Sequence, residues 1–121
     1  MNLNYYKNKI NAILNKNHCH EITDYLRSKE LCKAISGMLQ NMFQGEIIGI
    51  RNNEVYCSPS YFLIFNNGNT IYVSFSDYRY ENWDSNILYR TAKDITDYYG
   101  GTNNYCSLDN LHDCVFNHAN R

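Results

Sequence analysis

Apolar residues recur at helical spacing through the first third of the chain. In residues 3–15 they fall every three or four positions, at Leu3, Tyr6, Ile10, Ile13 and Leu14. Lysines and asparagines occupy the opposite face, which predicts an amphipathic helix. A second helical region is predicted from about residue 21, and the same spacing continues there at Leu31, Ile35, Leu39 and Met42. Ser28 is the expected N-cap of its last helix, and Gly45 is its expected end.

From Glu46 the period of the apolar residues changes to two, which predicts β-strands. Residues 46–50 and 55–57 flank the turn-prone segment 51–53 and are expected to form a hairpin. Residues 61–65 and 70–76 flank an Asn-Gly pair at Asn67-Gly68, which supports the positive φ angles of tight hairpin turns. Within residues 70–76, one face is predicted to hold Ile71, Val73 and Phe75, and the other Tyr72, Ser74 and Ser76.

The last third of the chain predicts a strand, a loop and a helix. Residues 77–85 are expected to be irregular, residues 87–91 a strand, and residues 93–99 either a helical turn or a loop. Ser107 is the expected N-cap of a final helix, with Asp109 in its first turn and Leu108, Leu111 and Val115 facing inward. The whole order predicts an α+β fold, with N-terminal helices packed on a four- or five-stranded antiparallel sheet and a short C-terminal helix. The 121 residues fit a single domain, residues 1–121.

Composition narrows the class of protein. The hydrophobic fraction of 44% is ordinary for a globular domain. No apolar run approaches the roughly 18 residues of a membrane span, and the first residues lack the apolar core of a signal peptide. The five cysteines are odd in number and form no Cys-x-x-Cys motif, which favours reduced thiols. We therefore expect a cytoplasmic protein.

The small net charge of −1 conceals an asymmetry along the chain. Residues 1–45 hold six basic and three acidic residues, whereas residues 46–121 hold five basic and nine acidic ones. Such a distribution can steer a charged partner, although it also fits two ordinary solvated faces. Asn, Tyr, Ile and Lys share AT-rich codons, so the high tyrosine count also has a genomic explanation.

Acidic and aromatic residues interleave from Asp77 to Asp113, with few basic partners. Tyrosine is enriched at interfaces because it offers a large flat contact area at low entropic cost. The predicted partner-binding patch lies in the irregular segment and consists of Asp77, Tyr78, Tyr80, Glu81, Trp83 and Asp84. A secondary patch consists of Asp94, Asp97 and Tyr98. The alternative interpretation is that the aromatic residues belong to the core and the acids only solubilise loops.

Two other functions fit part of the sequence. A nucleic-acid-binding regulator would use the basic residues of the N-terminal helices: Lys7, Lys9, Lys16, Arg27, Lys29 and Lys33. The slightly negative chain argues against it, because phosphate-binding domains usually carry excess positive charge. A metal- or thiol-dependent enzyme would use Cys114 and His118, four residues apart on a predicted helix, completed by Cys106 or by one or two of His18, Cys19 and His20. This spacing matches no standard zinc module, so we expect no metal, no cofactor and no catalytic residue.

In general character the chain resembles the small anti-CRISPR and related anti-defence inhibitors encoded by phages and mobile elements. It shares with them one compact intracellular domain, an acidic aromatic surface and the lack of a catalytic motif. The likeness concerns overall character rather than an aligned segment, so no residue role is carried over. The resemblance implies a non-enzymatic inhibitor that acts in the cytosol of a host cell, where it binds a bacterial defence effector and occludes its basic nucleic-acid-binding surface. Contact with a membrane and direct binding of nucleic acid are not expected of such a protein.

Overall fold

Two helices precede an antiparallel sheet and a short helix follows it, as the order of periodicities predicts. The computed structural model describes residues 1–17, 25–53, 59–75 and 83–121. The helices are α1 (Leu3–Asn17), α2 (Tyr25–Met42) and α3 (Leu111–Ala119), with a 3₁₀ turn at Leu108–Asn110 before α3. The strands are β1 (Ile47–Asn53), β2 (Ser60–Phe65), β3 (Thr70–Ser74), β4 (Ile87–Ala92) and β5 (Asn104–Cys106). The predicted α+β fold class is therefore confirmed.

The five strands form one meander in the order β1-β2-β3-β4-β5, and each strand is antiparallel to the next. The β2–β3 hairpin turns where the Asn-Gly pair predicts it, since Gly68 has a φ of 89°. The Asn67 side chain supports the turn by accepting a hydrogen bond from the Asn69 backbone N–H at 3.0 Å. In the described part of the chain, no helix has both the length and the apolar character needed to cross a membrane.

Helices and sheet meet on one face of the sheet, where a single cluster of buried side chains forms the core. The predicted inward face is confirmed, because Ile71 and Val73 of β3 and Phe75 directly after it are all fully buried. The inward residues predicted near the end of the chain are also confirmed, with Leu108, Leu111 and Val115 in the same cluster. We call this side of the sheet the helix side.

Two local predictions were wrong. Residues 51–53, expected to be a turn, belong to β1, which pairs with β2 as far as the Asn53–Ser60 pair. Pairing along a neighbouring strand outweighs the weak turn preference of these residues, and residues 55–57 lie outside the described part of the chain. Ser28 lies within α2 rather than at its start. Once a helix has begun, each further residue adds a hydrogen bond, so an internal serine does not end it.

Candidate functional site

The side of the sheet opposite the helices carries a cluster of aromatic residues around one arginine. Phe62 on β2 pairs with Tyr72 on β3, and Tyr72 pairs in turn with Arg90 on β4. The Phe62 and Tyr72 rings lie 5.1 Å apart, and the Arg90 guanidinium carbon lies 4.4 Å from the centre of the Tyr72 ring. Tyr105 on β5 pairs with Leu88 and extends the same surface to the edge of the sheet. We call the surface formed by Phe62, Tyr72, Arg90 and Tyr105 the outer face.

The loop after β4, residues 93–101, folds over the outer face. The Tyr98 ring lies 5.2 Å from that of Phe62 and 6.3 Å from that of Tyr72, both in edge-to-face geometry. Arg90 fixes the loop from below, because its guanidinium donates to the backbone oxygen of Asp97 at 2.7 Å and to that of Thr91 at 3.2 Å. Only 2% of Arg90 is exposed. A buried guanidinium with hydrogen-bonded donors and a stacked ring is a strong constraint on the loop above it.

Asp97 organises the backbone of the same loop. Its carboxylate accepts hydrogen bonds from the backbone N–H groups of Lys93, at 2.9 Å, and Gly100, at 2.8 Å. Gly100 leaves the space for this carboxylate, since a Cβ there would lie 2.6 Å from an Asp97 oxygen. Gly101, with a φ of 81°, brings the loop against β4, where a Cβ would lie 2.7 Å from the Thr91 carbonyl oxygen. The two glycines therefore permit the close approach of this loop to itself and to the sheet.

Both aspartates of the loop keep their negative charge well below neutral pH. The Thr96 hydroxyl, and then its backbone N–H, lower the pKa of Asp94. The backbone N–H groups of Lys93 and Gly100 lower the pKa of Asp97. The carboxylate oxygens of both aspartates already accept hydrogen bonds within the loop. Their main contribution to the surface is therefore negative charge rather than free hydrogen-bond acceptors.

Three tyrosines of this region are exposed to solvent. Tyr98 is 41% exposed, Tyr105 55% and Tyr99, which follows Tyr98 in the loop, 98%. Part of the Tyr98 side chain therefore packs against Phe62 and Tyr72, whereas Tyr99 presents almost its entire side chain to solvent. Large aromatic side chains exposed on a constrained backbone are typical of contact surfaces.

The predicted binding residues divide into three groups in the structure. Asp94, Asp97 and Tyr98 are brought together in the loop over the outer face. Four residues lie outside the described part of the chain: Asp77, Tyr78, Tyr80 and Glu81. Asp84 is half-buried, and its backbone oxygen accepts a hydrogen bond from the Leu108 N–H at 2.7 Å.

Trp83 corrects the expectation of an exposed contact residue. It is only 4% exposed and belongs to the core cluster, with its ring 6.5 Å from that of Phe75. Its Nε1–H donates to Asn11 Oδ1 on α1 at 2.9 Å. A tryptophan that is buried and hydrogen-bonded in this way holds α1 against the sheet and is not accessible to a partner.

Sequence reasoning missed several residues of this site, namely Phe62, Arg90, Tyr99 and Tyr105. The alternation along β3 was the available signal, since it already placed Tyr72 on the face away from the core. Extending the same alternation to β2 and β4 would have placed Phe62 and Arg90 beside Tyr72. The exposure of Tyr99 and Tyr105 had no comparable signal, because it depends on the course of the loop and on β5.

Three of the residues considered for metal or thiol chemistry lie where α3 meets the last two strands, namely Cys106 on β5 and Cys114 and His118 on α3. Burial, and then the adjacent Cys114 thiol, raise the pKa of Cys106 to about 12, so this thiol is protonated at neutral pH. His118 is engaged elsewhere, with Nε2 2.8 Å from the Thr91 hydroxyl. Within residues 1–17, 25–53, 59–75 and 83–121, no three Cys, His, Asp or Glu side chains are placed to hold a metal ion. His18, Cys19 and His20 lie outside these ranges.

A second histidine, at the start of α3, lies close to two carboxylates. His112 Nε2 lies 2.6 Å from Glu46 Oε1, and Nδ1 lies 3.1 Å from Asp113 Oδ1. The imidazole packs between the rings of Phe43 and Phe116, at 5.2 and 5.6 Å. The arrangement joins α3 to the segment between α2 and β1, and it is a structural contact.

Comparisons with protein families, with curated proteins and with solved structures find no match for this chain.

Proposed function

We propose that this protein is a non-enzymatic, protein-binding inhibitor that contacts its partner through the loop over the outer face and through Tyr105 beside it. The contact surface consists of Tyr98, Tyr99 and Tyr105, with Asp94 and Asp97 in the loop beside them. The partner surface is basic, and occupying it keeps nucleic acid away from it. The partner class is a bacterial defence effector, which is the class that the resemblance to anti-defence inhibitors implies.

One observation carries the proposal, the nearly complete exposure of Tyr99 in a firmly held loop. Tyr99 is 98% exposed, while the loop around it is fixed by Arg90, by the Asp97 carboxylate and by the Tyr98 ring. An aromatic side chain on a mobile loop loses much entropy when it binds, whereas one on a fixed loop loses little. Interfaces concentrate their binding energy in such aromatic anchors.

Charge supports a basic partner rather than an acidic one. Asp94 and Asp97 stay ionised at neutral pH, and their loop carries one basic side chain, Lys93, against them. The positive charge of Arg90 is buried beneath the loop and is hydrogen-bonded to backbone oxygens. Negative charge at the rim of an interface raises the rate of association with a basic surface and excludes acidic competitors.

The test is an affinity capture from bacterial lysate, with and without nuclease, followed by rebinding to the purified captured protein. The wild type is compared with the double variant Tyr99→Ala, Tyr105→Ala. The matched control is Tyr5→Ala, because Tyr5 on α1 is 55% exposed, as is Tyr105, but lies away from the outer face. We expect the wild type and the control to retain a partner after nuclease treatment and the double variant to lose it.

The inhibitory step needs a second measurement. The purified partner is titrated with labelled nucleic acid in the presence and absence of this protein. Competition by the wild type and by Tyr5→Ala, but not by Tyr99→Ala, Tyr105→Ala, supports occlusion. A partner that binds nucleic acid equally well in the complex would exclude occlusion as the mechanism, and equal capture by all three proteins would exclude the outer face as the contact.

A further inference from the structure

A groove on the helix side is lined by lysines from both N-terminal helices. It has a volume of about 830 Å³ and lies among residues of α1, α2 and β1. Its charged lining is Lys9 from α1 and Lys29, Glu30 and Lys33 from α2, so three positive charges accompany one negative charge. The described lining therefore carries a net charge of +2, in a chain whose total is −1.

A glycine in the middle of α2 opens this groove. Lys29 and Lys33 are one helical turn apart and share a face of α2, and Gly37 follows one turn later on the same face. A Cβ at Gly37 would meet nothing within 4 Å, so packing does not require glycine there. Glycine nevertheless destabilises a helix interior relative to alanine. Gly37 therefore faces open space, and only a side chain longer than that of alanine would fill the groove beside Lys33.

Hydrogen-bonded polar side chains form one wall of the groove. Gln40 Nε2 donates to Ser36 Oγ at 3.2 Å, and Ser36 Oγ donates to Asn52 Oδ1 at 3.2 Å. This chain of bonds links α2 to β1 and fixes the hydroxyl and the amides beside the lysines. The Ser36 hydroxyl has its only proton in this chain of bonds, so lysine and the amides of asparagine and glutamine are the groups that can donate to phosphate oxygens here.

We infer that the groove binds a phosphate-rich anion through Lys9 and Lys33. Its volume falls in the range of about 300–1,000 Å³ that is usual for small-molecule sites. The phosphates belong either to a nucleoside polyphosphate or to the backbone of a single-stranded nucleic acid, which present the same anionic groups. The site is independent of the proposed function, because the groove lies on the helix side and Tyr98, Tyr99 and Tyr105 lie at the outer face.

The test uses two probes, inorganic tripolyphosphate and a short fluorescent oligothymidylate, titrated into the full chain at low salt. The groove variant is Lys9→Gln, Lys33→Gln. The matched control, Lys93→Gln, Arg121→Gln, removes the same number of positive charges away from the groove. We expect saturable binding by the wild type and the control, weakened by about tenfold or more in the groove variant. Affinity should fall as salt is added.

Gly37 gives a second test that separates binding from folding. Gly37→Ala should raise the melting temperature and retain probe binding, whereas Gly37→Glu should keep the fold by circular dichroism and lose binding. Competition of tripolyphosphate with the oligothymidylate at similar affinity identifies phosphate alone as the ligand, and tighter binding of the oligothymidylate identifies a nucleic-acid backbone. The inference is overturned if the wild type binds neither probe, or if the control loses as much affinity as the groove variant.

Discussion

Phe75 on the helix side and Phe62 on the outer face are both fully buried, but by different parts of the chain. Phe75 packs with Tyr61 and with Trp83, which is itself hydrogen-bonded to α1. Phe62 packs with Tyr72 and with Tyr98, a residue of the loop that Arg90 holds down. Helices and strands cover one face, whereas a loop contributes to the cover of the other. Loops carry function more often than the scaffold does, and they open at lower free energy.

The largest expected difference comes from truncating the two phenylalanines. Phe75→Ala should lower the free energy of unfolding by about 3–5 kcal/mol, because the packed core cannot close the cavity. Phe62→Ala should cost less, about 2–3 kcal/mol, because the loop can settle into the vacated space. Urea unfolding of both variants measures the difference. Equal losses would contradict the idea that the outer face is the more adaptable one.

Arg90→Met tests whether the arginine holds the loop. The methionine keeps most of the apolar contact with Tyr72 but removes the bonds to the Thr91 and Asp97 backbone oxygens. We expect a loss of about 2 kcal/mol in the free energy of unfolding. Amide hydrogen exchange should become faster at Lys93 and Gly100, whose N–H groups bond to Asp97, while the amides of β2 and β3 keep their relative protection. Unchanged exchange in the loop would mean that Asp97 alone orders it.

The sequence was sufficient to predict the buried face of β3 but not the contacts that cover the outer face. Alternation along β3 separates Ile71, Val73 and Phe75 from Tyr72, and the Asn-Gly pair positions the turn before it, because both signals are local. The burial of Arg90, in contrast, has no local signal in the sequence. An arginine in a strand is ordinarily an exposed residue, and its burial here depends on the backbone oxygen of Asp97, seven residues later in the loop.

Trp83 is a second residue whose environment could not be predicted from the local sequence, since it was expected to be exposed and is buried. Its acidic and aromatic neighbours in the sequence are typical of an interface, which is why it was predicted to contact a partner. The partner of its Nε1–H is Asn11, 72 residues earlier in the chain. A contact over that separation is set by the tertiary fold, so local composition predicted the wrong environment for this residue.

Removing one tyrosine hydroxyl from each face should change the free energy of unfolding by a smaller amount. The Tyr61 hydroxyl is buried and donates to the Cys32 backbone oxygen at 2.9 Å. Tyr61→Phe should therefore cost about 1 kcal/mol. Tyr72→Phe should cost about 0 kcal/mol, because no hydrogen bond of its hydroxyl is seen among the described residues. Thermal unfolding of the two variants is the measurement, and a larger loss from Tyr72→Phe would show that the outer face contains a polar contact of its own.

The smallest expected effect concerns the two histidines of α3, whose environments on the helix side differ. Burial lowers the pKa of His112, but hydrogen bonds and charge from Glu46 and Asp113 outweigh it and leave the pKa raised. For His118, burial, and then Arg121, lower the pKa. Titration of the imidazole protons by NMR, assigned with His112→Gln and His118→Gln, should place His112 above and His118 below the usual value of about 6.5.

The sign of the effect on stability follows from these directions. A group whose pKa is raised on folding stabilises the protein fully below its unfolded pKa, and this contribution is lost as the pH rises through the folded pKa. His112 should therefore favour the folded state at mildly acid pH and contribute nothing at alkaline pH. His118 acts in the opposite sense, because its protonation at low pH opposes folding. Relative to the wild type, His118→Gln should become more stable toward the acid end of the range from pH 5 to 8, and His112→Gln should become less stable there. Parallel pH profiles for the two variants would mean that Glu46 does not pair with His112 in solution.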